Sequence, residues 1–128
     1  MVKAKKLKLE QVAAVWQERL RIQDYDIDVS FVRQAEMEDT TGKTHVLGAC
    51  HVMDTKKYAK IFVLAPIDAS DEEMAEGHPE SALVHELMHI AIPYHEMGIK
   101  NVDSLEFNNY ERIIDRMRQI VMKAYNGK

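Results

Sequence analysis

The strongest helix in the sequence lies between Pro79 and Pro93, and its middle carries the polar trio His85, Glu86 and His89. Pro79 suits an opening turn, Glu80 sits near the positive end of the helix dipole, and Pro93 stops the pattern. Val84, Leu87, Met88 and Ile90 surround the trio with apolar side chains. The trio is therefore drawn partly into the interior, where unpartnered polar groups are costly. Whatever the chain folds into must supply partners there.

The rest of the chain reads as elements to pack around that helix. Apolar positions Leu9, Val12, Ala13, Trp16 and Leu20 recur at helical spacing, which predicts an amphipathic helix over 7–20. From Tyr25 to Val32 the pattern alternates, with Tyr25, Ile27, Val29 and Phe31 on one face, as in a half-buried strand. The polar stretch 34–43 reads as a loop. Residues 44–53 and 58–64 read as two more strands, joined through the turn Asp54–Lys57 into a hairpin. The acidic stretch 68–76 has room for a helical turn before Gly77-His78-Pro79 breaks it.

A last helix is expected from Asp103, whose spacing to Glu106 is that of a capping box. Its apolar stripe is Tyr110, Ile113, Ile114, Met117, Ile120, Val121 and Ala124. The order α-β-β-β-α-α predicts an α+β fold: an N-terminal helix, a small three-stranded and largely antiparallel sheet, the His-Glu helix and the C-terminal glutamate helix. With 128 residues and 46% apolar content there is material for one core. The expected organisation is a basic, flexible tail over 1–6 and a single domain over 7–128.

Composition narrows the partners. A net charge of −4 gives no reason to expect nucleic acid or anionic lipid, and no apolar run is long enough to span a membrane. The cluster Lys3, Lys5, Lys6 and Lys8 reads as a solvated terminus rather than a tether. Lysines without an apolar segment behind them are not a secretion signal, so a cytoplasmic location is expected. Cys50 is the single cysteine; within strand-like sequence it reads as a packed thiol, despite His45 and His51 nearby.

His85-Glu86-Leu-Met-His89 is an H-E-x-x-H pattern. Residues four apart on a helix are separated by about 40° in projection and about 6 Å along the axis, so both imidazoles can reach one ion. Neutral imidazole suits zinc, and Glu86 can reach a water on the open side of such an ion. A catalytic zinc usually takes a third protein ligand. Glu111 can supply it, with Asp115 one turn later accepting the free N–H of a ligating histidine. Glu106, near the middle of the apolar stripe, is the rival ligand, but it lacks a following carboxylate. His78 and His95 flank the helix and read as surface residues.

H-E-x-x-H followed by a separate helix with E-x-x-x-D resembles the gluzincin metallopeptidases, the clan of thermolysin. The short chain and its element order resemble the minigluzincins and phage- or prophage-type metallopeptidases. The likeness spans 7–125, with its specific part in His85–His89 and Glu111–Asp115. It implies one zinc ion on His85, His89 and Glu111, Glu86 as general base, and Asp115 as support. It also implies hydrolysis of peptide or protein substrates, by endopeptidase rather than exopeptidase action, with one strand pairing with the extended substrate. Nothing after Glu111 supplies the histidine that stabilises the oxyanion in larger gluzincins; Tyr94, His95 and Tyr110 are the candidates in its place. The competing expectation is a zinc-stabilised binding or regulatory domain without significant peptidase activity. A protease acting on DNA-bound targets rests only on the lysine cluster.

Overall fold

A computed structural model describes residues 2–126, with side-chain environments from Lys8 onward. The elements in order are α1 (Val2–Arg19), β1 (Asp26–Val32), α2 (Gln34–Thr41), β2 (Gly48–Met53), β3 (Tyr58–Leu64), α3 (Asp71–Ala75), α4 (Glu80–Ala91) and α5 (Leu105–Asn126). Short 3₁₀ turns lie at Asp54–Lys56, Pro66–Asp68 and Tyr94–Met97. The fold is α+β. None of the described helices is long and apolar enough to cross a membrane.

The sheet has the order β1-β3-β2. β2 and β3 form the expected antiparallel hairpin, with Cys50 opposite Ile61. β1 joins β3 in parallel, with Val29 opposite Ile61, so the sheet is mixed. The reason is α2: it carries the chain from the end of β1 across to β2, and the hairpin then brings β3 back alongside β1. β3 is the central strand, and Ala59, Ile61 and Val63 are fully buried. β2 is left as an edge strand.

Helix α4 lies against this sheet and is packed on other sides by α1 and α5. Leu83, Val84 and Leu87 have no exposed surface. Each such burial stabilises by about 1.5–3 kcal/mol, which fixes the register of α4 far more firmly than its polar contacts do. Its first turn is also held by α1, where the buried Trp16 indole donates from Nε1 to Glu80 at 2.7 Å. The Arg19 guanidinium covers the Trp16 ring, and Tyr125 of α5 meets that ring edge-on.

Several boundaries differ from the sequence expectations. α1 begins at Val2 rather than Leu7, so the backbone of the lysine-rich segment is helical. The stretch 34–43 is mostly the helix α2, not a loop. Met37 is fully buried against Val32 and Leu64, the Gln34 N–H donates to Asp68 Oδ2 at 2.8 Å, and Gly42 closes the helix at φ 72°. The strand expected from Thr44 begins at Gly48. α3 forms in the acidic stretch under a Ser70/Glu73 capping box. α5 starts at Leu105, not Asp103, because the Ser104 hydroxyl takes the Phe107 N–H at 3.1 Å.

Candidate metal centre

Once α4 is fixed by its apolar residues, its remaining face turns His85 and His89 toward α5. Their rings lie with centroids 5.0 Å apart. From α5, Glu111 Oε1 stands 2.7 Å from His89 Nε2 and 3.7 Å from His85 Nε2. One ligand atom from each of the three residues lies within 4.8 Å of the others, a spacing that can hold a metal ion. Among the described residues no other group of three such side chains does so.

The other ring nitrogens are also engaged. His85 Nδ1 faces Asp115 Oδ1 at 3.2 Å; a carboxylate can only accept, so the proton is on Nδ1 and Nε2 carries a lone pair in the neutral ring. Arg118 Nε and Gln119 Nε2 donate to the same Asp115 carboxylate, which fixes its position. His89 Nδ1 lies 2.9 Å from the Tyr110 hydroxyl, which itself donates to the Ile92 carbonyl.

This arrangement fits a cation. Glu111 Oε1 is buried and has no hydrogen-bond partner of acceptable geometry, although two imidazoles surround it. A carboxylate oxygen aimed at nitrogen lone pairs is repelled unless a positive charge lies between them, a proton or a metal ion. Burial acts to raise the Glu111 carboxyl, but His85 and His89 outweigh it and hold it well below the usual carboxylate range. Burial acts to lower His85, yet Glu111, Glu86 and Asp115 hold it above its ordinary value. Two imidazoles and a carboxylate are a common zinc donor set.

Glu86 faces the start of β2. It is buried, and desolvation pushes its carboxyl above the ordinary range, against the pull of both histidines. It lies against Gly48, the first residue of β2: a Cβ built there would be 3.1 Å from Glu86 Cγ and 3.1 Å from Oε2. Only a residue without a side chain leaves that space free.

Two cavities meet at Glu86. One, of about 330 Å³, is lined by Leu47, Gly48, Ser81, His85, Glu111 and Arg118 among others. The second, of about 410 Å³, is lined by Cys50, Val52, His89, Tyr94, His95 and Phe107 among others. Both border β2, the first at Gly48 and the second from Cys50 to Val52. Both fall in the size range of ligand pockets.

Comparison with known proteins finds no matching family, no matching curated protein and no matching solved structure. The reading of the site therefore rests on its own geometry.

Of the residues singled out in sequence, His85, Glu86, His89, Glu111 and Asp115 come together. Glu106 does not: it is exposed and outside the three-ligand group. It sits on the side of α5 that carries Ile113 and Ile120, which are 50% and 61% exposed rather than packed in the stripe. His78 is buried, not at the surface, and its Nε2 donates to the Leu64 carbonyl at 2.6 Å. His95 is half exposed and pairs with Asp54 at 3.4 Å. Burial, with the Glu86 charge adding, pushes the Cys50 thiol up to about 12, so it is a packed, protonated thiol.

The sequence reading missed Gly48 and Arg118, and it listed Tyr110 only as packing or as an oxyanion candidate. A tyrosine inside an apolar stripe brings a hydroxyl that needs a partner, and that was the available signal. Gly48 had none.

Proposed function

We propose that this protein is a zinc-dependent peptidase of gluzincin type, with His85, His89 and Glu111 as ligands and Glu86 as general base. The observation that carries the reading is the convergence of three ligand atoms beside a desolvated, unusually basic carboxylate. A bound zinc ion would supply Lewis acidity, easing loss of a proton from water and polarising the scissile carbonyl. Glu86 takes a proton from the attacking water as its oxygen adds to the carbonyl carbon, then returns that proton to the nitrogen as the C–N bond breaks. Asp115 holds the His85 ring in the orientation the ligand role requires.

β2 is the strand best suited to an extended substrate. Among the described residues its outer edge has no strand partner, and two cavities lined by its residues share Glu86. A groove that continues past the reacting centre in both directions favours cleavage within a chain over removal of a terminal residue. The single, protonated cysteine is consistent with action in a reducing compartment such as the cytoplasm.

The test is zinc content by elemental analysis together with cleavage of a peptide library. Wild type and Glu86→Gln should each carry about one zinc per chain. Only wild type should cleave, and Glu111→Ala should lose the metal while Glu106→Ala keeps it. Zinc without cleavage by wild type would leave a zinc-stabilised binding domain. No zinc in wild type would remove the reading altogether.

A further inference from the structure

We propose that the second cavity selects the substrate, taking an aromatic side chain from the first or second residue on the amino side of the cleaved bond. That a bond is cut here at all rests on the function proposed above; that the cavity takes an aromatic ring does not.

A strand added to the free edge of β2 has two possible directions, and antiparallel pairing is the more stable. β2 runs from Gly48, in the wall of the first cavity, to Cys50 and Val52, in the wall of the second. An antiparallel substrate therefore lays its amino-terminal part over the second cavity and its carboxyl-terminal part over the first. Glu86 and His89 belong to the wall of the second cavity, so its occupant stands beside the reacting centre.

The two walls differ in kind. The first carries Glu73, Glu76, Asp115 and Arg118 and, among the described residues, no aromatic ring. The second carries Cys50, Val52, Pro93, Tyr94, Val102 and Phe107. Cys50 and Val52 share one face of β2, by the two-residue alternation of a strand. Tyr94 meets Phe107 edge-on at 5.2 Å between centroids, and the two rings lie 6.2 and 5.6 Å from that of Tyr110.

Of this cluster only Tyr110 is buried. Tyr94 and Phe107 are half-buried, and Val52 and Val102 are 38% and 51% exposed. Apolar surface left open beside a reacting centre gains by being covered. A fourth ring extends the edge-to-face packing of the other three, which an aliphatic side chain cannot do. His51, Asp54 and His95 complete the wall, which suits the polar tip of tyrosine or tryptophan as well as phenylalanine.

In a peptide library digested by the zinc-loaded protein, aromatic residues should be enriched one or two positions before the cut. There kcat/KM should be roughly 10- to 100-fold higher than with alanine at the same position. Val52→Asp and Val102→Asp, both at exposed sites, should keep the zinc content of wild type and lose most of that ratio. A titration independent of cleavage uses N-acetyl-phenylalanine amide, followed in ¹H–¹⁵N spectra. It should shift the amides of Val52, Tyr94, Val102 and Phe107, and N-acetyl-alanine amide should not.

Cleavage without an aromatic preference, or with one only after the cut, would overturn the proposal and leave the peptidase reading standing. So would a preference that survives in the folded Asp variants. If neither variant folds, the wild-type cleavage profile decides. If no peptide is cleaved, the peptidase reading falls and the titration decides: shifts centred on those four residues keep the cavity as an aromatic-binding pocket, and shifts elsewhere or none overturn it.

Discussion

At the scale of single residues, the site depends on what is absent at Gly48 as much as on what is present at Glu86. A methyl group at 3.1 Å from both Cγ and Oε2 must move the carboxylate, because the backbone of β2 is held by its ladder to β3. On the proposed function, Gly48→Ala should therefore still bind zinc through His85, His89 and Glu111. Its kcat on a cleaved peptide should fall, by less than the roughly 100-fold that a misplacement of about 1 Å costs, because the carboxylate has to give by only a few tenths of an ångström. Parallel measurement of zinc content and kcat checks this. Loss of zinc in that variant would mean that the strand disturbs the ligands themselves.

Among the elements, helix starts separate what could be read locally from what could not. Ser104→Ala should destabilise the protein by about 1 kcal/mol in urea unfolding, and Asp103→Ala by much less, since the hydroxyl of Ser104 is the cap of α5. Both residues are good capping types, and sequence alone favoured Asp103 for its spacing to Glu106. α4 was legible almost to the residue, because its apolar pattern and its bounding prolines are local signals. α2 was not, because Met37 is its one buried residue and the group that takes its first N–H, Asp68, lies on a distant turn. The choice of Glu111 over Glu106 followed from the Glu111–Asp115 pair, although the stripe was drawn too wide: Ile113 and Ile120 belong to the exposed side.

The same distant turn gives α2 a pH dependence. Arg33 and the Gln34 N–H hold the Asp68 carboxyl below its ordinary value. A depressed folded-state pKa contributes stability above the unfolded value, near 3.9, and loses it as pH falls through the folded one. The difference in Tm between wild type and Asp68→Asn should accordingly be largest near neutral pH and shrink in acid. A difference that does not change with pH would mean that the ion pair adds nothing.

For the molecule as a whole, the candidate centre joins two helices that the core already packs together, so metal is expected to add to the fold rather than create it. At zinc concentrations about 100 times Kd the gain should be about 2.7 kcal/mol, read as a rise in Tm. His85→Ala should fold yet show no such rise. Unfolded metal-free protein would point instead to zinc as a structural requirement.

Trp16 is the only tryptophan in the chain, and it is sealed against the first turn of α4, between Arg19 and Tyr125. By the rise of a helix, His89 is about 13 Å further along the same rod. Intrinsic fluorescence, excited at the red edge of the absorption band, therefore reports on one end of α4 while ion capture occupies the other. An emission maximum that stays blue during removal of metal, and shifts red only in denaturant, would report that the helices remain docked when the centre is emptied.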